Sequence, residues 1–233
     1  MVDALQALYV RDGETFVPTE FTRGPWRPDA QHGGPPAALL GHLTLPFVDS
    51  GEFLPHIEIE LTRPVPLEPL TATVEREPVS GRVARVRGEL RHGAVLVARS
   101  NALVLARSEI DPPEWASEHV VAPDPPPPEA TVELPRWASG DVTTYHRNAV
   151  EHRFTSGTPR EPGPAVDWIR LRGALIEGRE TSGLERVLAA ADFGSGVSAV
   201  YGSDSRHALI NANLTVSLTR QPRGEWISID ATT

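Results

Sequence analysis

The sequence contains no cysteine, and this absence removes several classes of chemistry. Disulfides, Cys-ligated zinc, iron–sulfur clusters and a thiol nucleophile all require that residue. Because such a chain needs no oxidising compartment, we expect a cytoplasmic protein.

Lysine is also missing, so all 22 basic side chains are arginine. A Schiff-base lysine and a P-loop lysine are therefore excluded. Any phosphate that the protein binds must be met by arginine, histidine or backbone N–H groups. The formal net charge of −9 argues against nucleic acid as a partner.

Long apolar runs are a third absence. No stretch approaches the ~20 residues that a membrane span needs, and no basic segment precedes an apolar one at the N-terminus. We therefore expect neither a membrane span nor a signal peptide. The hydrophobic content of 39% is ordinary for a globular protein with a sizeable core.

Residues 1–110 have the pattern of one α+β unit. The stretch His32-Gly33-Gly34-Pro35-Pro36 has the glycines of a tight turn and the prolines of a first helical turn. Apolar residues at helical spacing then predict a helix from Pro35 to Thr44, or to Val48 if Pro46 only kinks it. Alternation from Ile57 to Arg63 predicts a strand with one wet face, and three long strands follow it over 70–77, 82–91 and 95–106.

A proline-rich linker is predicted at 111–137, because polyproline is semi-rigid and cannot join a central sheet. Residues 138–233 then repeat the first unit. Strand patterns at 144–156 and 167–175 precede a helix pattern at 184–200, with Ser182 and Glu185 forming a capping-box pattern. The Leu-Thr-Arg sequence that ends the early strand recurs at 218–220.

The stretch 189–220 holds the polar residues that interest us most. Asp192 lies within the helix pattern, and Asn211 lies at the head of the next strand, so the carboxylate and the amide are expected to meet. The repeat also predicts a gap. The first unit has three long strands after its Leu-Thr-Arg turn, whereas the second has only residues 226–230, so two strands of the second unit are expected to be missing. An incomplete sequence record, or closure of the edge by another chain, would account for this.

These motifs resemble the acyl-CoA thioesterase II-like proteins. The resemblance rests on His32-Gly33-Gly34 before a helix, the run Ala191–Val197, the run Asn211–Val216, and Arg220 with Gly224-Glu225-Trp226. It implies a tandem double hotdog of α+β class, with two antiparallel sheets each wrapped around a long helix, here without the last strands of the second unit. It also implies a hydrolase of fatty acyl-CoA thioesters in lipid metabolism.

In that family an Asp, a Thr or Ser, and a Gln hold the attacking water. Asp192 matches the Asp, and Asn211 falls at the Thr position, so these two are the catalytic candidates. The matching Gln would lie beyond Thr233, and loss of one positioned donor costs about 10²–10³ in rate. A solvated acid at a helix end and a turn-forming Asn remain the alternative readings.

The helix start supplies the substrate-side candidates. The N–H groups of Gly33 and Gly34 are placed to polarise a thioester carbonyl, His32 to contact substrate, and Gly194 to line the same site. A tight turn and a solvated histidine are the alternatives. Three arginines, Arg82, Arg85 and Arg87, are candidates for coenzyme A phosphates, although a solvated strand face explains them more simply.

Other sites are less well supported. His146 and His152 lie six residues apart on a predicted strand, but no carboxylate pattern completes a metal site. We expect no metal and no cofactor. A non-catalytic acyl-CoA binding module is the alternative function. A hydratase ranks lowest, because His32 and Asp192 belong to different units. Since hotdog proteins usually assemble, a dimer or larger homo-oligomer is expected.

Overall fold

The computed structural model describes residues 7–111, 113, 142–198, 200 and 209–233. Most of the predicted linker at 111–137 lies outside these residues. The division into two units therefore stays a prediction, and the elements below are given in chain order.

The first unit contains one long helix and six strands, close to the predicted pattern. The helix starts at Gly34 because two prolines in its first turn have no N–H to leave unpaired. β3 begins five residues earlier than predicted, at Glu52. The elements are β1 Ala7–Asp12, β2 Thr15–Pro18, α1 Gly34–Thr44, β3 Glu52–Leu61, β4 Leu70–Ser80, β5 Val83–His92 and β6 Val95–Ala106.

The second unit departs more from its predicted boundaries. Residues Tyr145–Ala149 form a π-type turn rather than a strand, because Asn148 bonds back to Thr144 through both its side chain and its backbone. The helix predicted over 184–200 stops at Ala191. The elements are β7 Val150–Ser156, β8 Ala165–Leu171, β9 Ala174–Ile176, α2 Gly183–Ala191, α3 Gly194–Val197, β10 Asn213–Ser217 and β11 Ile227–Ala231.

The sheets are shared between the units, which corrects the expectation of one antiparallel sheet for each. One sheet has eight strands in the order β10-β3-β6-β5-β4-β2-β1-β9, and the other has three in the order β11-β8-β7. β10 of the second unit pairs antiparallel with β3, and β9 pairs parallel with β1. These two pairings join the units through backbone hydrogen bonds.

The core lies between the large sheet and the two helices. Leu39 and Leu40 of α1 are fully buried, and alternate residues of β5 (Ala84, Val86 and Leu90) face them. α1 packs on α2 through its other side. No helix among the described residues is long and apolar enough to cross a membrane.

The internal repeat is visible in the strand pairing. The β1–β2 hairpin with β4 against β2 corresponds to the β7–β8 hairpin with β11 against β8. β3 and β10 correspond as the strands that follow the two helices. Among the described residues of the second unit, β5 and β6 have no counterpart.

Candidate functional site

The site is built at one end of an antiparallel helix pair. His32, just before α1, contacts Asp192, just after α2, and His42 near the end of α1 contacts Glu185 near the start of α2. Close approach requires small residues on α1. A Cβ built on Gly34 would collide with the carbonyl oxygen of Ala189. The glycines that the sequence suggested for substrate binding therefore also allow this packing.

Asp192 occupies the C-cap position of α2 rather than its interior. Phe193 N–H bonds to Ala190 O, which tightens the last turn and ends the helix there. Asn211, two residues before β10, donates from Nδ2 to Asp192 Oδ1 at 2.7 Å and to Asp192 O at 3.1 Å. The predicted meeting of Asp192 and Asn211 is confirmed.

The second carboxylate oxygen of Asp192, Oδ2, contacts the ring of His32. His32 Nδ1 lies 2.8 Å from Asp192 Oδ2, and both side chains are about nine-tenths buried. His32 and Asp192 belong to different predicted units, which is the reason for ranking a hydratase lowest, yet their side chains are in contact. The contact across the helix pair is what sequence order alone does not show.

The proton on His32 is placed by its neighbours. Nδ1 also lies 3.2 Å from the backbone N of Gly34, and one nitrogen cannot both donate to Asp192 and accept from Gly34. The contact with the carboxylate is shorter and charge-assisted, so Nδ1–H donates to Asp192. In the neutral ring Nε2 is then an acceptor, and it has no hydrogen-bond partner among the described residues.

The three glycine candidates take different positions. Gly33 lines the cavity described below, and a Cβ built on it would lie 2.6 Å from Asp192 Oδ2. Gly34 faces α2 instead. Gly194 starts α3 and does not line the cavity; a Cβ there would meet nothing within 4 Å, so its predicted contact with substrate finds no support in the structure.

A cavity of about 430 Å³ opens beside this cluster. The polar residues Asp192, His32 and Asn211 stand on one side of it. The remaining wall is largely apolar and is drawn from both units. Its larger apolar residues are Trp26, Leu61, Val65, Phe154, Phe193, Val197, Val200, Leu209 and Ile210.

One glutamine lines the cavity, and both ends of its amide are occupied. Gln31 Oε1 accepts from the buried Tyr9 hydroxyl at 2.5 Å, and Gln31 Nε2 donates to Pro66 O at 2.7 Å. Gln31 therefore holds the loop before His32 in place. It does not stand in for the glutamine that the resemblance leads one to expect.

Sequence reasoning missed a second His–Asp pair, whose histidine lines the cavity. His152 on β7 lies 2.5 Å from the fully buried Asp167 on β8, and its Nε2 lies 3.1 Å from His146 O. Burial raises the pKa of Asp167, against the lowering effect of His152. In the pairing of β7 with β8, His152 lies opposite Ile169, two residues from Asp167. This register leaves no signal in the local sequence, so the pair could not be predicted from it.

His146 and His152 both line the cavity, but not as two residues of one strand. His146 lies in the π-type turn. Burial, with the neighbouring His32 and His152, lowers the pKa of His146 to about 3, so its ring is neutral at physiological pH. Among the described residues, no group of three His, Asp or Glu side chains is arranged to hold a metal ion.

Aromatic rings connect the two histidine pairs. Phe193 lies 4.7 Å from the ring of His32 and 5.0 Å from that of His152, and Tyr145 lies 5.5 Å from Phe193. The Tyr145 hydroxyl donates to Ala189 O at 2.9 Å. This packing fixes the end of α2 and therefore the position of Asp192.

The arginine candidates for phosphate binding lie elsewhere. Arg85 and Arg87 are exposed residues of β5, and neither they nor Arg82 line the cavity. Arg87 pairs with Glu77 at 2.8 Å. The simpler reading of these residues, a solvated strand face, fits the structure.

Known proteins resemble this chain in domain and in fold. Residues 22–105 match the family described as the acyl-CoA thioesterase N-terminal domain, whereas no curated protein matches the chain. A hot-dog-fold protein of unknown function from Alicyclobacillus acidocaldarius is 16% identical, with a TM-score of 0.63, over 92% of this chain and 76% of its own.

Two further solved structures agree. A protein from Novosphingobium aromaticivorans described as a candidate thioesterase is 20% identical, with a TM-score of 0.64, over 94% of this chain and 83% of its own. An acyl-CoA thioesterase II from Mycobacterium marinum is 15% identical, with a TM-score of 0.56, over 93% and 79%. The predicted hotdog fold is confirmed.

Proposed function

We propose that this chain, a thioesterase II-like protein of the hotdog fold with an acyl-CoA thioesterase N-terminal domain at residues 22–105, hydrolyses fatty acyl-CoA thioesters. The observation that carries the proposal is the carboxylate of Asp192. It stands at a largely apolar cavity and accepts from Asn211 through one oxygen and from His32 through the other.

The two donors fix the direction of the carboxylate and satisfy one lone pair on each of its oxygens, as a buried polar group requires. Each carboxylate oxygen still has a free lone pair after one such contact. Asp192 can therefore accept a hydrogen bond from a water molecule in the cavity. Asn211 and His32 act through Asp192 in this scheme and are positioning residues.

The reaction needs no further reactant. Asp192 takes a proton from water as the water oxygen attacks the thioester carbonyl carbon. The tetrahedral intermediate then collapses, the carbon–sulfur bond breaks, and the sulfur leaves with the proton that Asp192 received. The products are a carboxylic acid and the free thiol of coenzyme A.

The start of α1 supplies a donor for the carbonyl oxygen. Pro35 and Pro36 have no N–H, so only Gly33 and Gly34 present donors in the first turn. Of these, Gly33 lines the cavity and its N–H has no partner among the described residues. The positive end of the helix favours the negative charge that develops on that oxygen.

The experiment measures free thiol released from a panel of acyl-CoA esters of increasing chain length. Asp192→Ala is expected to lower kcat by at least about 10²–10³ while the protein stays folded. Asp230→Ala, which removes an exposed aspartate from β11, is the matched control and should leave turnover unchanged. Unchanged turnover in Asp192→Ala would overturn the assignment of Asp192.

Two outcomes would redirect the function. Saturable binding of acyl-CoA without thiol release by the full-length protein would favour a non-catalytic binding module. The 2.8 Å contact between His32 and Asp192 also supplies the His–Asp pair that a hotdog hydratase needs. A loss of enoyl-CoA absorbance without thiol release would favour that reaction.

A further inference from the structure

The described part of the cavity wall contains two arginines and one aspartate, although the chain as a whole is acidic. Histidines apart, its ionisable residues are Arg27, Arg63 and Asp192. Arg27 is neutralised by Asp29, which accepts from its Nε at 3.0 Å and its Nη2 at 2.7 Å. Among the lining residues that the structure describes, Arg63 is the arginine with no carboxylate partner.

Arg63 has a fixed backbone and a free side chain. It follows β3 directly, its N–H and that of Thr62 point to Val97 O, and Pro64 restricts its backbone to extended conformations. Its side chain is exposed and has neither a hydrogen bond nor an ion pair among the described residues. Because the backbone of Arg63 is fixed and its guanidinium has no partner among the described residues, the guanidinium can bind an anion from solution.

The position of Arg63 relative to Asp192 suits a long, anionic leaving group. Leu61 lies beside the reacting centre, since a Cβ built on Gly33 would meet Leu61 Cδ1 at 2.8 Å and Asp192 Oδ2 at 2.6 Å. Two residues further along the chain, Arg63 lies roughly 7 Å from Leu61, and it lines the same cavity with an exposed side chain.

We propose that Arg63 binds the phosphate groups of the coenzyme A part of the substrate. The inference rests on the proposed function, because it takes the thioester to lie at Asp192 with the acyl group in the apolar part of the cavity. The guanidinium then meets a phosphate through two parallel N–H donors, the geometry in which arginine binds phosphate best. With no lysine in the chain, arginine is the only permanent cation available for this contact.

The test compares two thioesters with the same acyl group. One is the acyl-CoA, and the other is the phosphate-free acyl-N-acetylcysteamine. Arg63→Glu is expected to raise KM for the acyl-CoA about tenfold or more, with kcat nearly unchanged, and to leave both constants unchanged for the phosphate-free ester. Arg63→Lys should recover part of the affinity, because a point charge remains but the two-pronged contact is lost.

The matched control is Arg85→Glu, which makes the same charge change at an exposed site on β5, away from the cavity. It should leave KM for the acyl-CoA unchanged. If Arg85→Glu raises KM as much as Arg63→Glu does, the effect is one of net charge and the proposal is wrong. Equal losses for both thioesters in Arg63→Glu would overturn it as well.

Direct binding separates this inference from the proposed function. Calorimetry with coenzyme A itself requires no turnover, and Arg63→Glu should weaken its binding about tenfold even if the protein hydrolyses nothing. Dephospho-coenzyme A identifies the group bound. A smaller effect of Arg63→Glu on that ligand assigns the 3′-phosphate, and an equal effect assigns the diphosphate. Unaltered binding of coenzyme A to the variant would contradict the proposal.

Discussion

Two histidine–carboxylate pairs stand at opposite ends of the contact between α1 and α2, which we call the helix seam, and the pair formed by His32 and Asp192 lines the cavity. His32 contacts Asp192 at 2.8 Å, and His42 contacts Glu185 at 2.5 Å. Each pair joins α1 to α2. They differ in what else surrounds the carboxylate, so the difference shows what turns a structural contact into a candidate site.

The carboxylate of Glu185 is occupied by contacts that stabilise the fold. Its side chain accepts from the backbone N–H of Ser182, and Ser182 Oγ accepts from the backbone N–H of Glu185 in a capping box. Asp192 accepts instead from two side chains, those of Asn211 and His32, and it lines the largely apolar cavity. A carboxylate with a side that water can reach can take part in chemistry, whereas one surrounded by structural donors cannot.

The largest expected effect comes from breaking the seam itself. Gly34→Ala places a methyl group against the backbone of Ala189, which cannot move without shifting α2, so we expect a loss of about 2–3 kcal/mol in unfolding free energy. Gly41→Ala is the matched control. It meets only the tip of the Leu188 side chain, which can turn away. Urea unfolding of the two variants measures the difference in stability. Equal losses of stability would contradict the expectation that the contact at Gly34 is less tolerant than the contact at Gly41.

A smaller effect separates the two histidines. His32→Gln should lower kcat about 10- to 100-fold, because Asp192 loses a charge-assisted donor, and should change stability little. His42→Gln should do the reverse, lowering the urea midpoint at unchanged kcat. Thiol release and urea unfolding are measured on both variants.

The size of the His32→Gln effect also tests the mechanism. In the proposed scheme Asp192 takes the proton from water, so loss of His32 is milder than loss of Asp192. If His32→Gln is as severe as Asp192→Ala, the base is Nε2 of His32, and Asp192 acts by orienting the ring.

The local parts of this arrangement were predictable from sequence, and the long-range parts were not. The turn at Gly33, the helix after it and the capping box at Ser182 each depend on a few neighbouring residues. The meeting of Asp192 and Asn211 followed from the order of helix and strand. These features were predicted because their causes lie within about twenty residues.

The packing of α1 on α2 depends instead on both units at once. The contact of His32 with Asp192 joins residues of the two units, and the pair formed by His152 and Asp167 depends on the register of β7 and β8. Neither of these two contacts produces a pattern among neighbouring residues of the sequence. The helix predicted to reach Val200 was too long for a related reason, since its small residues fit a helix and the turn at Asp192 is fixed by tertiary contacts.

Removing the amide beside Asp192 should cost less than removing His32. Asn211→Ala deletes a neutral donor at 2.7 Å from Oδ1, and we expect kcat to fall about tenfold with KM for the acyl-CoA unchanged. Asn213→Ala, at the exposed start of β10, is the matched control and should change neither constant. If Asn211→Ala raises KM alone, the amide contacts substrate rather than the carboxylate.

The smallest effect concerns the structural pair and its dependence on pH. Burial alone would raise the pKa of Glu185, but the contacts with His42 and Ser182 outweigh it and hold the pKa below its ordinary value. The ionised carboxylate therefore stabilises the fold above the unfolded-state pKa of about 4.3, and this contribution is lost as the pH falls below that value through the folded-state pKa.

Glu185→Gln removes this dependence while keeping a side chain that suits the capping box. At neutral pH the variant should be less stable than the parent by about 1.5 kcal/mol, and the gap should narrow as the pH falls below the unfolded-state pKa of about 4.3. Glu177→Gln, at an exposed position after β9, should follow the parent protein throughout. Urea midpoints across the acid range measure the gap. If the gap stays constant with pH, Glu185 acts through packing alone, and the two pairs of the seam differ in more than their surroundings.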